Sequence, residues 1–128
     1  MSGSQQVFVY GTLRRHASHH HLLARAHFLG HHVTPIGYTM YDLGAYPAVV
    51  ARGSHRIHGE VYRLSQRMLA ILDDYEAYPD DYHRRRIVTP FGPSWIYLWR
   101  RQAIVSGYTA PAVKSGDWLV HESGGYPA

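Results

Sequence analysis

Two short stretches hold residue types that can do chemistry without a cofactor. The first is Val7-Phe8-Val9-Tyr10-Gly11-Thr12-Leu13-Arg14-Arg15. Its apolar start reads as a buried strand, which Gly11 breaks. A strand ending in Tyr10-Gly11-Thr12-Leu13 leaves backbone N–H groups without ladder partners. Such groups can form a nest for a carboxylate or an oxyanion. An ordinary turn is the plainer reading of these four residues taken alone. The second stretch is Leu72-Asp73-Asp74-Tyr75-Glu76. Met68, Ile71, Leu72 and Tyr75 recur at amphipathic helical spacing, and Ser65 is a good N-cap. The helix is expected to end near Glu76, with Pro79 in the loop beyond. Glu76 follows Leu72 by four residues and Leu69 by seven, so it falls on an apolar face. At a helix C-terminus the macrodipole disfavours negative charge. Burial and dipole together raise a carboxylate's pKa, which makes glutamate an effective general base. Asp73 sits close to the same face, and Asp74 points outward. The competing structural reading has Glu76 capping a loop or pairing with Arg84.

The histidines make a weaker candidate. His16 and His20 have the i, i+4 spacing that suits a metal, but no carboxylate lies nearby to complete a site. A solvated histidine-rich face on a short helix over His16–Ala26 is the preferred reading, so no metal or cofactor is expected.

The elements that must position these groups are mostly strands. Extended segments are expected at His31–Thr34, Gly37–Tyr41, Tyr46–Val50 and Ile57–Leu64, with turns at Asp42–Ala45 and Arg52–Ser54. Gly59 suggests a close backbone approach or a bulge. Tyr82–Thr89 and Ser94–Trp99 read as strands joined by a turn at Phe91-Gly92-Pro93. Gly116-Asp117-Trp118-Leu119 is expected to dock a large aromatic onto the body, and Ser123-Gly124-Gly125 to be flexible. Many short strands with one firm helix indicate an α+β sheet or barrel of mixed strand direction.

Composition bounds the rest. The chain has 128 residues, 45% hydrophobic and 17% charged, which suits one domain with one core. It has no cysteine, so disulfide and thiolate chemistry are excluded, and a reducing compartment fits. No signal peptide is visible at Met1–Gln6, and no stretch approaches the length of a bilayer span, so a cytoplasmic, membrane-free protein is expected. The formal charge is +4, with 11 histidines. Apart from Arg84-Arg85-Arg86 and Arg100-Arg101 the arginines are scattered, and no nucleic-acid module is recognisable. A basic nucleic-acid-interacting protein using Arg84–Arg86 is therefore the least favoured reading.

Tyr10-Gly11-Thr12-Leu13 and Leu72-Asp73-Asp74-Tyr75-Glu76, followed by Tyr82-His83-Arg84, together resemble the γ-glutamylcyclotransferase-like superfamily, closest to its γ-glutamylamine cyclotransferase and AIG2-like branch. Further matches in the family's order are Gly30, Tyr41-Asp42-Leu43-Gly44, Tyr46-Pro47-Ala48-Val49, Gly59-Glu60-Val61-Tyr62, Ser94-Trp95-Ile96-Tyr97 and Ser115-Gly116-Asp117-Trp118. The resemblance implies a single domain over residues 7–119, with tails at 1–6 and 120–128. Its fold would be a mixed β-barrel flanked by short helices, with a polar cavity at one end. It also implies that Tyr10, Gly11, Thr12 and Leu13 bind the glutamyl part of a small γ-glutamyl substrate and that Glu76 is the acid/base. The implied reaction converts a γ-glutamyl amine or amide to 5-oxoproline and a free amine. The substrate's own α-amine is the nucleophile, so no Ser, Cys or metal is needed. A catalytically silent, ligand-binding member of the same fold is the alternative, and the retained Glu76 favours the enzyme.

Around that cavity, Tyr82 and Arg84 share a strand face. Tyr82 is a candidate hydrogen-bonding contact, and Arg84 a candidate partner for a carboxylate or else a structural ion pair. Tyr46 is a candidate to close the pocket. Glu60 is expected to be structural, Trp95 and Tyr97 to be core, and Arg14 and Arg15 to lie at the cavity rim.

Overall fold

A computed structural model describes residues 4–78, 80–100 and 110–124. Strand β1 (Ser4–Val9) lies at the centre of a five-stranded mixed sheet ordered β2-β5-β1-β7-β6. Its neighbours are β5 (His58–Ser65), antiparallel, and β7 (Gly92–Trp99), parallel through Val7–Trp95 and Phe8–Ile96. Strands β2 (His27–Val33) and β6 (Tyr82–Thr89) form the edges.

The period-2 alternation of β1 gives the domain two cores, one on each face of the sheet. Val7 and Val9 point to one side, where Leu64, Tyr82 and Tyr97 join Leu69 and Leu72 of helix α1 (Gln66–Tyr75). Phe8 and Tyr10 point to the other, where Ile96 and Leu98 meet Met40 and Val49. The last two come from β3 (Tyr38–Asp42) and β4 (Pro47–His55), which pair only with each other among the named strands. Residues 110–113 run along β3, with the Asp42 N–H bonded to the Pro111 carbonyl at 2.8 Å and the Val113 N–H to the Met40 carbonyl at 2.8 Å. Helix α2 (Trp118–Glu122) follows, capped by Asp117, and Trp118 is buried in the second core.

The architecture is therefore α+β, as the strand pattern indicates, but the barrel is not closed among the described residues. The β3–β4 hairpin stacks face to face on the large sheet through Met40 and Val49 instead of joining its edge. Three local expectations change. Residues 16–26 form only a 3-10 turn at His20–Leu23, and His16 adopts φ 71°, so the i, i+4 spacing of His16 and His20 is not realised. The expected turn at Arg52–Ser54 is instead a bulge within β4, where Gly53 adopts φ 113°. On α1 the buried face is Leu69 and Leu72, and Ile71 is 50% exposed. β1 starts at Ser4 and α2 ends at Glu122. Expectations at Pro79, at Arg101 and at Gly125 lie outside the described residues.

Candidate active site

Glu76 is placed by the way α1 ends. Ser65 caps the helix start, its Oγ accepting the Met68 N–H at 3.1 Å. The Glu76 N–H still donates to the Leu72 carbonyl at 2.9 Å. Ala77 then turns into the left-handed region at φ 53°, and the Ala77 and Tyr78 N–H groups return to Asp74 and Asp73. This stops the helix within one residue and leaves Glu76 on the Leu69–Leu72 side, facing a cavity of about 290 Å³.

The opposite wall is the end of β1. Tyr10, Gly11, Thr12 and Leu13 all line the cavity. The loop is held by a turn in which the Arg14 N–H donates to the Gly11 carbonyl at 3.0 Å. It is held further by the His19 N–H on the Thr12 carbonyl at 2.8 Å and by His20 Nδ1 against the Leu13 carbonyl at 2.9 Å. The carbonyls are thereby occupied, whereas the N–H groups of Gly11, Thr12 and Leu13 have no acceptor among the described residues. Gly11 is required here, because a Cβ would stand 2.8 Å from Cγ of Pro47.

Glu76 has no hydrogen-bond donor among the described residues. Burial, and then the neighbouring Asp73 carboxylate, push its carboxyl up to about 8. The phenols around it are fixed acceptors. Tyr82 donates its hydroxyl proton to the Pro47 carbonyl at 2.7 Å, Tyr97 donates to Oδ1 of Asp73 at 2.7 Å, and Tyr10 donates to the Tyr97 carbonyl. With their single protons spent, the Tyr82 and Tyr97 oxygens have only lone pairs left to offer, and the Tyr10 oxygen also meets the Val49 backbone. Burial pushes all three phenols upward in pKa, so they stay neutral. The cavity thus has N–H donors on one wall and the Glu76 carboxyl on the other, with His19 and Asp81 also among its lining residues.

The structure brings together Tyr10, Gly11, Thr12, Leu13, Tyr46, Glu76 and Tyr82 around this cavity, with Tyr46 40% exposed at its mouth. Arg84 is not among the lining residues. Its Nε and Nη2 bind Asp73 at 2.8 and 3.0 Å, so the arginine is spent on a protein carboxylate instead of facing substrate. Arg14 is not at the rim either. It is 6% exposed, with Nε on Glu60 at 3.1 Å and Nη1 on Asp117 at 2.9 Å. Glu60 also accepts the Arg15 N–H at 2.9 Å, so it anchors the base of the donor loop. Sequence reasoning missed Tyr75, Tyr97 and His19 as cavity residues. Tyr97 was within reach: counting β6–β7 register back from the hairpin puts it opposite Arg84. His19 had no such signal.

Residues 7–120 match the family described as gamma-glutamyl cyclotransferase, AIG2-like. The chain belongs to that family. The gamma-glutamylcyclotransferase family protein YtfP of Escherichia coli K12 is 39% identical over 114 residues, which cover 89% of this chain and 96% of that one. The solution structure of Escherichia coli ytfP superposes with a TM-score of 0.72 at 37% identity, over 92% of this chain and 99% of that one. A gamma-glutamylaminecyclotransferase of Bos taurus is 40% identical over 99 residues, covering 63% of this chain and 54% of that protein. Family membership accounts for the fold and for a cyclotransferase-type enzyme. No helix among the described residues is long and apolar enough to cross a membrane.

Proposed function

We propose that the chain releases 5-oxoproline and a free amine from a γ-glutamyl amine or amide, with Glu76 as base and then acid. The observation that carries this reading is the facing pair of walls: N–H groups at Gly11–Leu13 opposite the carboxyl of Glu76, both without a partner among the described residues. The glutamyl end of such a substrate bears a carboxylate and an amine. The first suits the donor wall, and the second suits the acceptor oxygens of Tyr82 and Tyr97. Tyr46 closes the mouth over the leaving portion. Arg84 enters the proposal only through Asp73.

The reaction needs no water and no cofactor. The neutral α-amine attacks the γ-carbonyl carbon, forming the ring C–N bond. As it does so its nitrogen gives a proton to the Glu76 carboxylate. Negative charge gathers on the carbonyl oxygen, where a loop N–H stabilises it. The tetrahedral centre then collapses, the bond to the leaving nitrogen breaks, and Glu76 returns the proton to that nitrogen. A carboxyl that titrates near 8 can do both transfers near neutral pH. Holding amine and carbonyl in one pocket supplies several kcal/mol of the barrier reduction. The bovine relative's name supports an amine conjugate as substrate, and the absence of cysteine suits work in a reducing cytoplasm.

The test is to incubate the protein with a panel of γ-glutamyl amines and γ-glutamyl dipeptides and to follow 5-oxoproline by mass spectrometry. Product from at least one member, lost in Glu76→Gln, is expected. No product from any member, or an undiminished rate in Glu76→Gln, refutes the assignment.

A further inference from the structure

Behind Glu76 stands a charge that the proton transfers do not consume. Asp73 precedes Glu76 by three residues, close to one helical turn, so the two carboxyls share a side of α1. Both Asp73 oxygens are engaged by Arg84, at 2.8 and 3.0 Å. The guanidinium itself is clamped, 4.3 Å over the Trp95 ring and 4.9 Å over Tyr78. Oδ1 also accepts the Tyr97 hydroxyl at 2.7 Å, and Tyr97 lines the cavity. A bidentate pair held between two rings has essentially one orientation.

We propose that Asp73 is a positioning residue for the reaction proposed above, acting on Glu76 through its fixed charge and on Tyr97 by holding the phenol proton away from the cavity. It touches no reacting atom itself. The other groups facing Glu76 are the phenols of Tyr10, Tyr46, Tyr75, Tyr82 and Tyr97. His19 and Asp81 also line the cavity. After burial, Asp73 is the neighbour that pushes Glu76 upward. Arg84 tempers this push, because its positive charge offsets part of the field of Asp73. Removing either member of the pair must therefore move Glu76 in opposite directions, which a merely structural ion pair does not require.

The experiment uses the full chain labelled with ¹³C at the glutamate side-chain carboxyls. The chain has three glutamates, Glu60, Glu76 and Glu122, and Glu76→Gln identifies its signal by loss. In Asp73→Asn the Glu76 titration midpoint is expected to fall by about one pH unit. In Arg84→Gln it is expected to rise. The acid limb of kcat/KM on any γ-glutamyl amine that is turned over should move with the midpoint. An unmoved midpoint in a folded Asp73→Asn protein, or shifts of the same sign in both variants, overturns the proposal. If Asp73→Asn gives no dispersed spectrum, the sign of the Arg84→Gln shift decides alone. Because the midpoint is read without turnover, shifts of the expected signs in a protein that cyclises nothing leave the coupling standing and remove the cyclotransferase reading.

Discussion

The hydroxyl of Thr12 and the phenol of Tyr75 meet at 2.6 Å, bridging 63 residues of sequence to tie the donor loop to the helix that carries Glu76. The bond sets the width of the cavity, because one partner belongs to each wall. Tyr75 is further braced by His19, whose ring lies 5.1 Å from its own. Replacing Thr12 with valine keeps the shape and deletes the hydroxyl. The expected cost in stability is about 1 kcal/mol, the worth of one hydrogen bond. The expected loss in kcat/KM is larger, about tenfold, because the loop N–H groups then lose their fixed distance from Glu76. Urea denaturation and steady-state kinetics on the same preparation separate the two effects.

What could be read in advance followed local periodicity. Leu69, Leu72 and the Ser65 cap fix the phase of α1, so the side of the helix that Glu76 takes follows from spacing alone. The same parity put Tyr82 and Arg84 on one strand face. Parity does not reveal which carboxylate an arginine meets, and Arg84 met Asp73 because β6 passes beside α1. Arg14 is the sharper case. A charged residue in a loop reads as exposed, yet Glu60 and Asp117, distant in sequence, enclose it. Residues 16–26 failed for a related reason. The His19 N–H is drawn to the Thr12 carbonyl and the His20 ring to the Leu13 carbonyl, so these bonds to the loop override a modest helical pattern. His19 reaches the cavity only through those bonds.

The raised pKa of Glu76 has a consequence for stability. Below about pH 4.5 the carboxyl is protonated in both folded and unfolded chains. Between about 4.5 and 8 the folded protein holds a proton that the unfolded chain has released, so stability falls as pH rises through this window. Above it the loss is complete, about 5 kcal/mol at most. Glutamine at this position keeps the shape and never ionises. Glu76→Gln should therefore match the parent near pH 4 and become progressively more stable than it up to pH 8. Denaturation series at several pH values read this directly. A constant difference across the window would mean that Glu76 titrates as an ordinary surface glutamate.

Arg14 anchors the other end of the donor loop. Its guanidinium joins Glu60 and Asp117, and Glu60, 2% exposed, also takes the Tyr62 hydroxyl at 2.9 Å. Arg14→Met keeps much of the stem's packing and strips Glu60 of its counter-charge. A buried carboxylate left in this way costs about 3–5 kcal/mol. Adding Glu60→Gln to Arg14→Met should recover part of that loss, since the stranded charge is then gone. The pair of denaturation curves distinguishes a charge effect from lost packing, which the second substitution would not repair.

Ala77 carries the last prediction, because it holds an unusual backbone for a residue with a side chain. Its φ of 53° is the left-handed conformation that ends α1 directly after Glu76. Glycine usually fills this position, since a Cβ there costs roughly 1 kcal/mol. The Ala77 side also lines the cavity, so the strain is spent where Glu76 must be aimed. Ala77→Gly relieves it and should raise the melting temperature by about 2–5 °C. The same change frees the chain to sample other conformations beside the Glu76 carboxyl, and, if Glu76 is the base proposed above, kcat should fall severalfold while KM changes little. A variant that gains stability with kcat unchanged would show that the strained turn terminates the helix without serving to aim Glu76.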